Sequence, residues 1–196
     1  MIALVFALFV ALALPGRLEL GDTTKAFQET RVAFAPRNAA EKKVLAELER
    51  QYDALARGFT ARDTAAIMGL RSSEFSALFP DGRRDNPAGM AHVLGHFFVQ
   101  NEPPIQVRYT IVGLDSLTAE RAVVTTFQQG SRYQLLAGQR RRVEHDVTQR
   151  ETWVRTPAGW RLQFVDHIRD RHRWVDGRPV DPDKPFDPEA PPFTGK

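Results

Sequence analysis

No cysteine occurs among the 196 residues. That excludes a disulfide framework, a thiolate metal site, a cysteine nucleophile and a lipidated N-terminal cysteine. Long apolar runs are scarce as well. The one present, Met1–Leu14, holds fourteen uncharged residues, a turn or more short of the roughly 20 that a membrane-spanning helix needs. Charge of one sign is not in large excess either, with 27 Lys and Arg against 24 Asp and Glu and a net charge of +3. Arg140, Arg141 and Arg142 stand together in what reads as a solvated connection, but Glu144, Asp146 and Glu151 follow and break the field. A nucleic-acid partner is therefore not expected. The chain has no glycine-rich phosphate loop, no Gly-x-Ser-x-Gly elbow and no internal repeat. What is there is globular in composition, 42% hydrophobic and 26% charged, at a length that suits one domain with tails.

Met1–Leu14, followed by Pro15-Gly16, has the length of an export-signal core, and Ala11-Leu12-Ala13 supplies a small-x-small cleavage pattern. No Lys or Arg precedes the run, and an uncleaved anchor is the alternative. The expectation is a signal peptide over residues 1–16, a secreted or periplasmic protein, and no stable membrane span after signal removal. Residues 17–37 show no sustained period and read as a poorly ordered lead-in. At the other end, residues 177–196 are proline-rich, with prolines at 179, 182, 185, 188, 191 and 192. This spacing forbids a helix and favours an extended tail. The tail is either solvated or a strap docked through Phe186 and Phe193.

Residues 38–176 read as one folding unit. Asn38 followed by Glu41 is a capping-box start, after which Val44, Leu45, Leu48, Tyr52, Leu55 and Phe59 recur at helical spacing, with Gly58 placed to end the helix. Asp63 can cap a second, short helix through Ile67 and Leu70. Phe75, Ala77 and Phe79 then alternate as a strand before the turn Pro80-Asp81-Gly82. A third helix opens at Asn86-Pro87 and carries Met90, Val93, Leu94, Phe97 and Phe98 on one side, with His92 and His96 opposite. From Pro104 the period is two. Ile105, Val107, Tyr109 and Ile111 alternate, then Val123, Thr125 and Phe127, then the segments from Val143 to Arg155 and from Trp160 to Ile168. Three helices and a first strand ahead of long strands joined by short turns define an α+β domain with an antiparallel sheet.

This order of elements resembles the nuclear transport factor 2-like superfamily, and the hairpin from Glu151 to Leu162 is similar to the closing hairpin of its SnoaL-like members. The resemblance implies a cone-shaped half-barrel, a curved antiparallel sheet packed against three N-terminal helices, with a pocket and often a homodimer through the sheet. The superfamily includes isomerases, cyclases, dehydratases and non-catalytic binders. No catalytic motif of these enzymes matches here position by position, so none is carried over.

The last hairpin holds the best candidate site. With Thr156–Gly159 as a four-residue loop, Trp153 opposes Leu162, Glu151 opposes Phe164 and Gln149 opposes Asp166. Directly opposed residues share a face. Trp153, Phe164, Glu151, Gln149, Asp166 and His145 would then line one concave surface, joined by Tyr52 from the first helix and by Tyr109. A carboxylate among aromatics has its charged form disfavoured and becomes a usable acid or base. Asp166 ranks first as the functional carboxylate and Glu151 second, with Tyr52 or His145 as donor. Alternatively these acids pair with nearby arginines such as Arg150, Arg161 and Arg169. A one-residue slip would also turn the set outward and bring Arg150 and His167 in. His92 and His96 lack a third ligand, so no metal is implied, and no cofactor is. Two functions fit: a pocket protein for a small hydrophobic or amphipathic ligand, and a cofactor-independent acid/base enzyme of isomerase, cyclase or dehydratase type.

Overall fold

The structure, a computed structural model, describes residues 31–194. The expected signal peptide lies outside the described residues. A short strand β1 (Arg31–Val32) precedes helices α1 (Ala39–Ala61) and α2 (Thr64–Gly69), then β2 (Arg71–Leu78), β3 (Arg84–Asp85) and α3 (Pro87–Gln100). Four long strands follow, β4 (Asn101–Leu117), β5 (Arg121–Leu136), β6 (Gln139–Thr156) and β7 (Gly159–Val175), and then β8 (Arg178–Val180). The sheet runs β1-β4-β5-β6-β7-β2-β3, with β8 on β7. It is mixed rather than purely antiparallel, because β1 joins β4 and β2 joins β7 in parallel. Residues 31 and 32, inside the expected lead-in, are thus part of the sheet.

The three helix starts form as expected. The side chains of Asn38, Asp63 and Asn86 each accept a backbone N–H three residues on, from Glu41, Ala66 and Gly89 at 2.9 Å. Glu41 reaches back to the Arg37 amide at 2.8 Å. α1 does not end at Gly58. It runs on to Arg62, which takes the left-handed cap at φ 57°. Gly58 sits inside the helix, where a Cβ would lie 2.7 Å from Ile67 Cγ1, so this glycine serves the close approach of α2. On α3 the buried residues are Met90, Leu94 and Phe98, while Val93 turns out to be 36% exposed. His92 and His96 are both exposed, their Nε2 atoms 3.0 Å apart. His92→Ala should cost under about 0.5 kcal/mol, as a surface change. A shift in the urea midpoint as large as that of a core tryptophan would contradict this placement.

On the sheet, Ile105, Val107, Tyr109 and Ile111 face the helices as the alternation predicts. On β5 the parity is the reverse of the expected one. Ala122, Val124 and Thr126 face in, and Val123, Thr125 and Phe127 face out. β-branched residues suit either face of a pleated sheet, so the apolar alternation there carried little direction. Arg140–Arg142 are not a connection but lie at the start of strand β6, paired with β5 up to the tight turn Ala137-Gly138 (φ 48° and 74°). Each is held by an acid: Arg140 by Glu102, Arg141 by Asp176 and Arg142 by Glu144.

β7 also joins β8 through a two-residue turn, Asp176-Gly177 (φ 50° and 78°), a dipeptide that signals such hairpins. The proline-rich segment after it is docked. The Phe193 amide donates to the Pro179 carbonyl at 3.0 Å, and the Arg141 guanidinium lies 5.2 Å from the Phe186 ring. Both phenylalanines are half-buried, which is the strap arrangement.

Candidate functional site

Strand register decides which side chains reach the concave face. β6 and β7 pair as expected near the turn, Arg155 with Trp160 and Trp153 with Leu162. Beyond that the register shifts: Thr152 opposes Phe164, Glu151 opposes Val165 and Arg150 opposes Asp166. Gln163 is the extra residue of a bulge, and one extra residue turns every later side chain on β7 over. Two further shifts follow, where His167 and Asp170 adopt φ 49° each. Repeated bulges on one strand bend and twist the sheet, which supplies the cone's curvature.

This bulge removes two candidates from the concave face. Phe164 lies on the convex side, where the Arg84 guanidinium sits 5.2 Å from its ring. Asp166 is there too, gripped by Arg150 Nε at 2.9 Å and Nη2 at 2.6 Å, with His167 Nδ1 at 3.0 Å. Burial pushes the Asp166 carboxyl up, but the hydrogen bonds from Arg150 and His167 and the Arg150 charge outweigh it and hold it below the usual carboxylate range. Asp166 is therefore a buried, ion-paired acid on the convex side, held in its charged form.

Glu151 is the concave carboxylate. It is 1% exposed and accepts from four side chains: Tyr52 Oη at 2.7 Å, Trp153 Nε1 at 3.2 Å, Thr126 Oγ1 at 3.1 Å and Gln149 Nε2 at 2.6 Å. Trp153 Nε1 also donates to Tyr52 Oη at 2.9 Å. The Tyr109 ring stacks 4.9 Å from that of Tyr52. Five of the expected residues, Tyr52, Tyr109, Gln149, Glu151 and Trp153, thus form one cluster. Burial pushes the Glu151 carboxyl up, and its four donors offset this only in part. Tyr52 is raised well above an ordinary phenol by burial and by the Glu151 charge beside it. Tyr109 is raised by the same causes.

Sequence reasoning missed two members. Thr126 opposes Gln149 across β5 and β6 and was hidden by the parity of β5. Arg71, at the start of β2, shares the concave face with Leu162; its guanidinium lies 4.5 Å from the Phe75 ring and its Nε is buried without a partner. Burial lowers it to about 10.

His145 keeps the concave parity but joins a different group. Its ring lies over Gly130, where a Cβ would meet Cε1 at 2.2 Å, and its Nδ1 is 2.8 Å from Arg132 Nη1. Burial first, and then the Arg132 charge, lowers its pKa to about 3. Exposure along the concave side of β6 changes in a definite order. Trp153 and Glu151 are enclosed, Gln149, Val147 and His145 are half-buried, and Val143 is enclosed again. Among the described residues no group of three or more His, Cys, Asp or Glu could hold a metal ion.

A curved sheet packed against three helices in this order defines a fold class with solved members. The chain has the nuclear transport factor 2-like fold. A structure assigned as scytalone dehydratase from Novosphingobium aromaticivorans matches with TM-score 0.59 and 8% identity, over 66% of this chain and 87% of that one. A type 2 hexachlorocyclohexane dehydrochlorinase matches at 0.55 and 9% identity, over 76% and 97%. A nuclear transport factor 2-like superfamily protein from Salmonella enterica serovar Typhimurium matches at 0.51 and 18% identity, over 65% and 91%. No family model matches the sequence, and no curated protein does. At these identities the likeness concerns the fold. Among the described residues no helix is long and apolar enough to cross a membrane.

Proposed function

We propose that the protein binds a small apolar or amphipathic molecule against the concave face, on the half-buried stretch formed by Gln149, Val147 and His145. The observation that carries this reading is the exposure order along β6: an accessible window between two enclosed ends. Binding sites combine such apolar concavity with a few fixed polar groups. Gln149 is held by Glu151, so its position is set by the buried cluster beneath it. Native mass spectrometry of protein purified from its own cells tests the reading. Retained mass is expected in the wild type and in Asp166→Asn, whose carboxyl lies on the other face, and is lost in Val147→Asp. Equal retention in Val147→Asp would overturn it.

Two observations favour a catalytic reading. Glu151 is pushed up beside a phenol, and proteins named dehydratase and dehydrochlorinase share the fold. A base needs substrate within hydrogen-bond reach, however, and all four donors around Glu151 are already engaged with it. Binding is the reading we adopt. We also propose export with removal of 13 to 16 residues, supported by the uncharged run Met1–Leu14 and by Ala11-Leu12-Ala13. N-terminal sequencing of the protein outside the cell is expected to start after this run; Met1 on soluble protein inside the cell would end the idea.

A further inference from the structure

At the far end of the accessible window, three basic side chains from three adjacent strands share the concave face. Arg132 on β5 opposes Val143, and His145 on β6 opposes both Gly130 on β5 and Arg173 on β7. Because Gly130 has no side chain, the His145 ring occupies its place and closes the distance to Arg132. Arginines half-buried in proteins ordinarily meet a carboxylate. These two do not. Arg132 donates to the Asn101 side-chain oxygen at 2.7 Å and contacts His145, with its guanidinium 5.5 Å from the Phe97 ring. Arg173 makes one long bond, to the Lys184 carbonyl at 3.3 Å, and its Nε is buried with no partner. The nearby acids of β6 point the other way, Glu144 to Arg142 and Asp146 to His172, on the convex face.

Two cations are therefore held near one another with their charge unanswered. Burial and then the charge of Arg173 lower Arg132 to about 10, and burial lowers Arg173. His145, kept neutral, presents Nδ1 to Arg132 and adds no third charge. Half-buried Phe59 and Phe97, whose rings pack edge to face at 6.0 Å, lie beside this group and provide apolar surface. A planar guanidinium fork matches a carboxylate.

We propose that Arg132 and Arg173 form a carboxylate-binding subsite, so that the ligand of the concave face is an amphipathic acid with its head group between them. The Lys184 carbonyl, a neutral acceptor from the C-terminal strap, holds Arg173 when no acid is bound. This inference rests on the concave-face reading above, and the test separates the two. Titration calorimetry on the full chain compares decanoate with decanol, which has the same chain and no charge. Decanoate is expected to bind about tenfold tighter or more, the gain from one charge-assisted contact pair. Arg173→Gln should remove that advantage and leave decanol binding unchanged, with an unaltered melting temperature showing that the variant folds. Arg132→Gln should act alike. Equal affinities for decanoate and decanol would overturn the head-group assignment and leave the concave-face reading standing. Binding of neither would overturn both. An Arg173→Gln variant that keeps the full preference for decanoate would place the anion elsewhere and also overturn the proposal.

Discussion

Trp153→Ala should cost about 4–5 kcal/mol of folding stability, at the upper end for removal of a core aromatic. Three losses coincide at this residue. Its ring is 0% exposed and packs edge-on against Tyr52 at 5.2 Å, so truncation opens a cavity in the tightest part of the cone. Its Nε1 donates to both Tyr52 Oη and Glu151, so truncation withdraws a donor from a carboxylate that is itself fully buried. The site is also bounded by α1 on one side and β5 on the other, which limits collapse into the gap. Trp160 provides the control. It is 2% exposed, but its Nε1 donates to Glu47, a partly exposed acid that Arg155 also holds. Trp160→Ala should cost about 3 kcal/mol, the area and cavity term with little added from polar loss. Trp153→Phe separates the terms, since it keeps a ring and removes the donor; about 2 kcal/mol is expected. Urea denaturation gives the ranking. A Trp160 variant less stable than the Trp153 variant would show that the Glu151 cluster is not the centre of the core. Domains of this size are stable by about 5–15 kcal/mol, so Trp153→Ala leaves a chain on the margin of folding.

The contrast between β6 and β7 shows what the sequence made legible. On β6 the alternation of Trp153, Glu151, Gln149 and His145 is unbroken by bulges as far as β5 is concerned, and all four face the cone as period-two reasoning expects. Tyr52 was equally legible, because a helix stripe averages over five or six apolar residues and one polar member does not shift it. β7 was not legible. Its bulge at Gln163 uses an ordinary strand residue, and the two later ones use His167 and Asp170, types that tolerate positive φ without requiring it. Nothing in the local composition marks them, yet together they carry Phe164 and Asp166 to the convex face. The pairing of Asp166 with Arg150 is a consequence of register rather than of charge pattern, since many arginines lie equally near in sequence. Asp176-Gly177 is the opposite case: a readable turn signal within what had looked like the start of the tail. His145 shows a third limit. Its face was correct, but its partner depends on a glycine on the neighbouring strand, and long-range pairing of that kind has no local trace.

Glu151→Ala should be about as damaging as loss of Trp153, at about 3–5 kcal/mol, because Tyr52, Thr126 and Gln149 would all lose their acceptor in a closed interior. Glu151→Gln keeps an acceptor and the volume, and serves as the probe of charge. The pH dependence follows from the sign of two perturbations. Glu151 is raised above 4.5, so between pH 4.5 and its folded value the native protein holds a proton that the unfolded chain has released. Stability contributed by that proton falls as pH rises across the window and is level above it. His145 is lowered from 6.5 to about 3, so between those values the unfolded chain binds the proton and the native protein does not. Stability from this group rises with pH across its window, opposite in sign, and the two windows overlap from pH 4.5 upward. The wild-type profile is therefore flattened there. Glu151→Gln removes the falling part and should show a steeper rise in urea midpoint just above pH 4.5. His145→Gln removes the rising part and should show stability falling with pH from 4.5 upward. Asp166 and Glu47 are lowered, so what they contribute is lost only as pH falls below the ordinary carboxylate range, and it cancels when each variant is compared with the wild type. Parallel profiles for the wild type and Glu151→Gln throughout this range would mean that Glu151 is charged in the folded protein as readily as in the unfolded chain, and the buried cluster would lose its acid.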